Sequence, residues 1–152
     1  MSLRTIPALA LRLCAPGHHW HGRRTRAVRS AQATLQIEME KIDPQESRGV
    51  IPALRDIIQQ GVQVQVLLKA GESDNVEAAG RIIAAGGEAR CRPDLHAKLI
   101  IADGQQVFLG SQNLTRDSLD LRREIGWILT DSEPLSRFSD TFSADWAAAG
   151  SC

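Results

Sequence analysis

Residues 95–113 read LHAKLIIADGQQVFLGSQN. Leu99, Ile100 and Ile101 form an unbroken apolar run, the pattern of a strand buried on both faces. Asp103-Gly104 follows, a pair of residues that tolerate positive φ and so close a tight hairpin. Residues 105–109 are then the returning strand. Side chains alternate faces along a strand, so His96 and Lys98 point the same way. The returning strand carries Ser111 and Asn113 back to the end of the sheet that holds His96. An imidazole, an ammonium, a hydroxyl and a carboxamide are thereby gathered at one edge of a buried sheet. That set suits a phosphate ester: one group attacks or donates a proton, and the others hold anionic oxygens.

The flanking sequence supplies the rest of a layered domain. Residues 34–40, TLQIEME, alternate so that Leu35, Ile37 and Met39 share a face,. Asp43-Pro44 ends that strand. Ile51, Leu54, Ile57 and Ile58 recur at helical spacing over 50–60, with Gly61 as the stop. Residues 62–68, VQVQVLL, alternate again. Asn75 is placed to cap a helix over 76–85, which Gly86-Gly87 closes. A short strand over 88–91, a further strand over 122–129 and a final helix over 134–147 complete the chain, the last with Leu135, Phe138, Phe142 and Trp146 on one side. Strands alternating with helices predict the α/β class, as an α-β-α sandwich with a mixed, mostly parallel sheet covered by helices. There is no internal repeat.

At 152 residues and 43% hydrophobic residues, the chain is one domain with enough apolar material for a core,. Lys and Arg number 18, as do Asp and Glu, so net charge alone points to no acidic partner. The distribution is uneven: the chain before Glu38 contains six arginines and no acidic residue. The first thirty residues therefore have the composition of a transit segment, while Arg12 interrupts the apolar stretch that a secretory signal would need. The plainer reading folds part of this region as a helix over 23–34, with Ala27, Val28, Ala31 and Leu35 along one side. Residues 1–14 are read as an Arg-rich segment, disordered or a remnant, and 15–150 as the domain. Cys14, Cys91 and Cys152 are scattered too widely for a disulfide framework, which favours a reducing compartment. No run reaches the length of a membrane-spanning helix, so a cytoplasmic or membrane-peripheral location is expected. His18, His19 and His21 lie close to Cys14, but neighbouring histidines share one ion only with a bent backbone, and no carboxylate lies near in sequence. No metal site and no cofactor are expected. Trp127 and Trp146 are assigned to the core.

His96, Lys98, Asp103, Gly110, Ser111 and Asn113 together resemble the HKD motif, H-x-K-x4-D-x6-G-S followed by Asn, of the phospholipase D superfamily. The surrounding Asn113-Leu114-Thr115, Ser118-Leu119 and Arg123-Glu124-Ile125-Gly126 are similar to that family's continuation, in the manner of one half of a two-motif cardiolipin-synthase-like protein. Two positions depart from the common pattern. Asn113 falls two after Ser111 rather than three, and Arg122 stands where members often carry Asn.

The resemblance implies phosphodiester cleavage without a metal, in two displacements through a phosphohistidine. His96 would attack, and a second motif's histidine would protonate the leaving alcohol. Imidazole titrates near enough to neutrality to serve in either form. Lys98 and Asn113 would hold the phosphate, with Ser111 as a weaker donor. Glu124, placed in the strand over 122–129, would orient the imidazole. Asp103, at the turn, would cap backbone N–H groups of the hairpin. With one motif in the chain, the second histidine must come from another copy, so a homodimer with the site on its two-fold axis is expected. The implied substrate is a phospholipid whose phosphatidyl group is hydrolysed or transferred. Cleavage of a nucleic acid by a single-motif homodimer is the alternative reading. A non-catalytic half that serves as an interaction module is a third.

Overall fold

The computed structural model describes residues 27–45, 49–130 and 132–152. Six strands form one sheet in the order β3-β2-β1-β4-β5-β6. They are β1 (Thr34–Met39), β2 (Gln63–Lys69), β3 (Glu88–Arg92), β4 (Lys98–Ala102), β5 (Gln106–Gly110) and β6 (Gly126–Leu129). Helices α1 (Val50–Gln59) and α2 (Ser73–Ala84) make the crossovers between the parallel strands β1, β2 and β3, and α3 (Ser132–Ala148) follows β6. The α-β-α sandwich expected from the sequence is present.

The sheet is mixed as expected, but three of its five pairings are antiparallel: β1 with β4, β4 with β5, and β5 with β6. The balance follows from connection length. A parallel neighbour needs a crossover long enough to hold a helix, and only 50–59 and 73–84 supply one between adjacent strands. The Asp103-Gly104 turn, with φ of 53° and 62°, forces β5 back along β4,. Gln105 N–H closes that turn on the Ala102 carbonyl at 2.9 Å.

Alternation within each strand sorts the core into two layers. Leu35, Ile37, Val64, Val66 and Ile100 pack against Leu54, Ile57, Ala78 and Ile82 of α1 and α2. On the other face Leu67, Leu99, Ile101 and Val107 meet Leu135 and Phe142 of α3, with Phe138 and Trp146 beside them. The helix stops are those the glycines promise. After α1, Gly61 N–H bonds Ile58 O and Val62 N–H bonds Ile57 O; after α2, Gly86 and Gly87 repeat the arrangement on Ile83 and Ile82,.

Several expectations change. Asn75 does not cap α2, which begins two residues earlier. The amide is instead fully buried. Its Oδ1 accepts from Ile42 N–H at 3.0 Å, and its Nδ2 donates to the carbonyls of Glu40 and Lys69 at 2.8 and 2.9 Å. One side chain thus ties the ends of β1 and β2 together. The strand expected over 122–129 begins only at Gly126, after a single π-helical turn at Asp117–Leu121. Gly126 faces Gly110 across the ladder. A Cβ on Gly110 would meet the Ile125 carbonyl at 2.6 Å, and one on Gly126 would meet Phe108 at 2.7 Å.

The cysteine reading is also corrected, because Cys91 and Cys152 form a disulfide. Their 61-residue separation hides the pair in sequence. They meet because α3 delivers the C-terminus to the outer edge of β3, where Cys91 and Gly150 exchange backbone hydrogen bonds of 2.9 and 3.1 Å. Residues 1–26, including five of the six arginines before Glu38, Cys14, Trp20 and the three neighbouring histidines, lie outside the described residues; Arg29 pairs with Asp56 of α1 at 2.8 Å. Of the helix expected over 23–34, residues 27–29 are helical.

Candidate active site

The ends of β1, β2 and β5 and the beginning of β4 meet at one end of the sheet, and the ladder fixes their register. Met39 pairs with Lys98, which puts Glu40 beside the residues preceding β4. Glu40 N–H donates to the Ala97 carbonyl at 3.0 Å. The His96 side chain is 80% exposed and the Lys98 side chain 8%. The motif therefore presents its imidazole to solvent and keeps its ammonium beneath.

A buried ammonium needs acceptors for its protons. Lys98 Nζ donates to Glu40 Oε2 at 2.8 Å and to the His96 carbonyl at 2.9 Å. It stands 3.4 and 3.3 Å from His96 Nδ1 and Nε2, facing the ring rather than aiming at one nitrogen. Asn113 joins the group from beyond β5. Its Nδ2 donates to Glu40 Oε2 at 3.3 Å, and its Oδ1 accepts from Lys41 N–H at 3.1 Å. His96 Nε2 is 3.5 Å from the same Glu40 oxygen. Burial works against the Glu40 charge, but hydrogen bonds from Lys98 and Asn113, the Lys98 ammonium and the neighbouring His96 ring outweigh it, so its pKa lies below the ordinary carboxylate value. Lys69 Nζ lies 3.8 Å from the other oxygen of Glu40, and Lys41 pairs with Glu72 at 3.1 Å. The arrangement offers an exposed nucleophile beside a fixed cation and an amide donor. That is the equipment for attack on phosphorus with the non-bridging oxygens held.

Four residues named from the sequence come together here or at the rim: His96, Lys98, Asn113 and Ser111. Ser111 donates its hydroxyl to Glu124 Oε2 and accepts Ile125 N–H at 3.2 Å. Glu124 precedes β6, and the partner its carboxylate takes is the Ser111 hydroxyl. The carboxylate beside the imidazole is Glu40, which the sequence reading missed. Glu40 was legible only as the last polar residue of an alternating strand. Its place beside Lys98 depends on β1 lying antiparallel to β4, a pairing between segments nearly sixty positions apart.

Asp103 sits at the far end of β4, about 16 Å from Lys98 at a typical strand rise. Its carboxylate accepts the N–H groups of Gln32, Ala33 and Thr34 at 2.8–3.1 Å. The carboxylate thus binds backbone N–H groups at the start of β1 rather than those of its own hairpin. A groove of about 690 Å³ lies at that end, lined by Asp103, Gly104, Thr130 and Ser139 among others, and is separate from His96. Among the described residues, no group of three or more His, Cys, Asp or Glu side chains is arranged to hold a metal ion, and no helix is long and apolar enough to cross a membrane.

Comparison with known proteins accords with this geometry. Residues 25–146 match the family described as cardiolipin synthase, PLD-like domain. A cardiolipin synthase from Oceanobacillus iheyensis is 29% identical over 129 residues, which is 79% of this chain and 26% of that protein. The chain thus spans about a quarter of that relative's length. Among solved structures, Nuc from Salmonella typhimurium, a phospholipase D family member, superposes with a TM-score of 0.74 at 20% identity, covering 82% of this chain and 85% of Nuc. NucT from Helicobacter pylori superposes with a TM-score of 0.72 at 14% identity, covering 86% and 89%.

Proposed function

The chain belongs to the phospholipase D superfamily, within its cardiolipin synthase PLD-like domain family, and from that premise we propose that it is a phosphodiesterase acting on the phosphatidyl group of phospholipids. The supporting observation is convergence. The exposed ring of His96, the buried ammonium of Lys98 and the amide of Asn113 all approach one anionic oxygen, that of Glu40. Groups that gather on a carboxylate oxygen are suited to gather on a phosphoryl oxygen.

In the proposed reaction a ring nitrogen of His96 attacks phosphorus and the P–O bond to the leaving alcohol breaks. A second imidazole gives that alcohol its proton. Water or another alcohol then gives its proton to that second imidazole and attacks the phosphohistidine, breaking the P–N bond, releasing the ring and completing hydrolysis or transfer. Lys98 and Asn113 hold the non-bridging oxygens through both displacements. The reaction as written calls on no metal ion. The second imidazole is supplied by His96 of another copy, in a homodimer whose two-fold axis passes through the site.

Purified protein with phosphatidylcholine or phosphatidylglycerol vesicles should release phosphatidate in the presence of EDTA. His96→Ala should reduce release to background, and sedimentation should give twice the chain mass. Release that is equal in His96→Ala sinks the assignment, and an active strict monomer sinks the shared site. Nucleic acid is the second reading, favoured by the exposed Arg122 and Arg123 next to Glu124. EDTA-resistant, His96-dependent degradation of DNA or RNA, without phosphatidate release, would select it.

A further inference from the structure

Glu40 is the unexpected member of the site. Lys98, Asn113 and His96 lie 2.8, 3.3 and 3.5 Å from a single Glu40 oxygen, Oε2. These are the three groups that the phosphodiesterase reading assigns to the substrate phosphate. A phosphoryl oxygen seated on all three would occupy the volume that Oε2 fills. It would also face a negative charge at contact range, where repulsion is strongest.

The geometry gives the carboxylate somewhere else to go. The Glu40 backbone is held on both sides, N–H on Ala97 O at 3.0 Å and carbonyl on Asn75 Nδ2 at 2.8 Å. Any movement is therefore confined to side-chain torsions. The second oxygen, Oε1, is already 3.8 Å from Lys69 Nζ, and Lys69 also reaches Glu72 at 3.9 Å. Lys69 stands at the end of β2 with its side chain about one-third exposed. Rotation away from Lys98 and toward Lys69 would exchange one cation for another and open the anion position without moving the strand.

We propose that Glu40 is an internal occupant of the anion cradle: its Oε2 stands in for a phosphoryl oxygen on Lys98, Asn113 and His96, and a substrate binds by displacing it onto Lys69. This rests on the phosphodiesterase reading and adds a specificity to it. A phosphodiester carries one negative charge, whereas a phosphomonoester or free phosphate carries roughly 1.5 or more near neutral pH. The resident carboxylate penalises the second class more, so it biases the cradle toward diesters. It also supplies the buried ammonium with a counter-charge while no substrate is bound.

The test is calorimetric titration of the full chain with inorganic phosphate and, separately, with dimethyl phosphate. Glu40→Gln keeps the side-chain volume and removes the charge. It should bind phosphate at least tenfold tighter than the unaltered protein, with a smaller gain for dimethyl phosphate, and Lys98→Ala in that background should abolish the gain. Lys69→Gln should weaken phosphate binding when Glu40 is present and leave it unchanged in Glu40→Gln. Unchanged or weaker phosphate binding in a folded Glu40→Gln, with Lys98-dependent binding intact in the unaltered protein, overturns the occupant role and leaves the phosphodiesterase reading standing. An equal gain for the two ligands overturns the specificity. No Lys98-dependent binding of either ligand in any variant overturns both proposals.

Discussion

At the scale of single residues, Lys98 and Asp103 show how one motif divides its labour. Lys98 is buried and its ammonium ends on Glu40. Lys98→Met would leave Glu40 without that cation, a loss of about 3 kcal/mol for a broken, largely buried pair. The same change should lower phosphodiester turnover by on the order of 100- to 1,000-fold, since it removes a fixed donor to the developing charge. Urea titration and the vesicle assay read the two effects. Asp103 sits at the opposite end of β4 and serves three backbone N–H groups. Burial pushes its carboxyl pKa up, but those hydrogen bonds hold it below the ordinary 3.8. Asp103→Ala should therefore cost about 1–2 kcal/mol of stability, the scale of a lost capping carboxylate whose exposed donors turn to water,. Turnover per folded molecule should stay within about twofold, against the much larger loss expected of a group on the reacting atoms. A large fall in kcat with an unchanged urea midpoint would return Asp103 to the chemistry.

At the scale of elements, the two ends of the chain of contacts below the site are decided by ties that cross between strands. Asn75 joins the ends of β1 and β2 directly beneath Glu40 and Lys69. The outer edge of β3 is covered by the C-terminal tail through the Cys91–Gly150 bridge and the Cys91–Cys152 disulfide. Around that strap Arg90 lies over the Trp146 ring at 4.7 Å, and Arg92 pairs with Asp145 on α3 and with Asp94 in the segment leading to His96. A crosslink spanning 61 residues restricts the unfolded chain enough to contribute about 4 kcal/mol in the chain-entropy account. Cys152→Ser should lose roughly 2–4 kcal/mol of that, read as a shift in the guanidinium midpoint. A reductant should bring the unaltered protein to the variant's midpoint and leave the variant where it is. Identical midpoints without reductant would show that the crosslink contributes nothing.

At the scale of the whole molecule, the charged groups between sheet and helices set how stability follows pH. Glu38 is 3% exposed on the α3 face of β1. Burial first, then the charge of Asp145 and a hydrogen bond to it, raise its pKa from 4.5 to about 7, with Arg92 opposing. A carboxyl whose folded pKa is raised binds its proton more tightly in the folded state. Its contribution is complete below pH 4.5 and is lost as pH rises to about 7,. Glu40, Asp94 and Asp103 have lowered pKa values, so theirs is present above the ordinary carboxylate range and lost as pH falls through it. Stability should peak between these limits. Glu38→Gln should flatten the decline between pH 5 and 7 while leaving the acid limb unchanged, measured by thermal unfolding across that range. An equally steep decline in the variant would remove Glu38 as its cause.

The sequence by itself determined the elements and half of the site. Alternation in 34–40 and 62–68, helical spacing from Ile51 to Ile57, and the positive-φ pair Asp103-Gly104 are local signals, written within a few residues of where they act. They also place His96, Lys98 and Asn113 at one end of a hairpin. Tertiary structure decided the rest, because each remaining feature depends on which segments become neighbours. The antiparallel seat of β4 on β1 brought Glu40 to Lys98. The short β6 left Glu124 to Ser111. Asn75, whose residue type fits a cap equally well, became a buried tie once β1 and β2 lay side by side. Cys91 and Cys152 meet because α3, packed on the sheet, leads to the edge of β3. No local pattern encodes these pairings, since each is fixed by burial of both faces of a common sheet, a property of the assembled molecule rather than of any stretch within it.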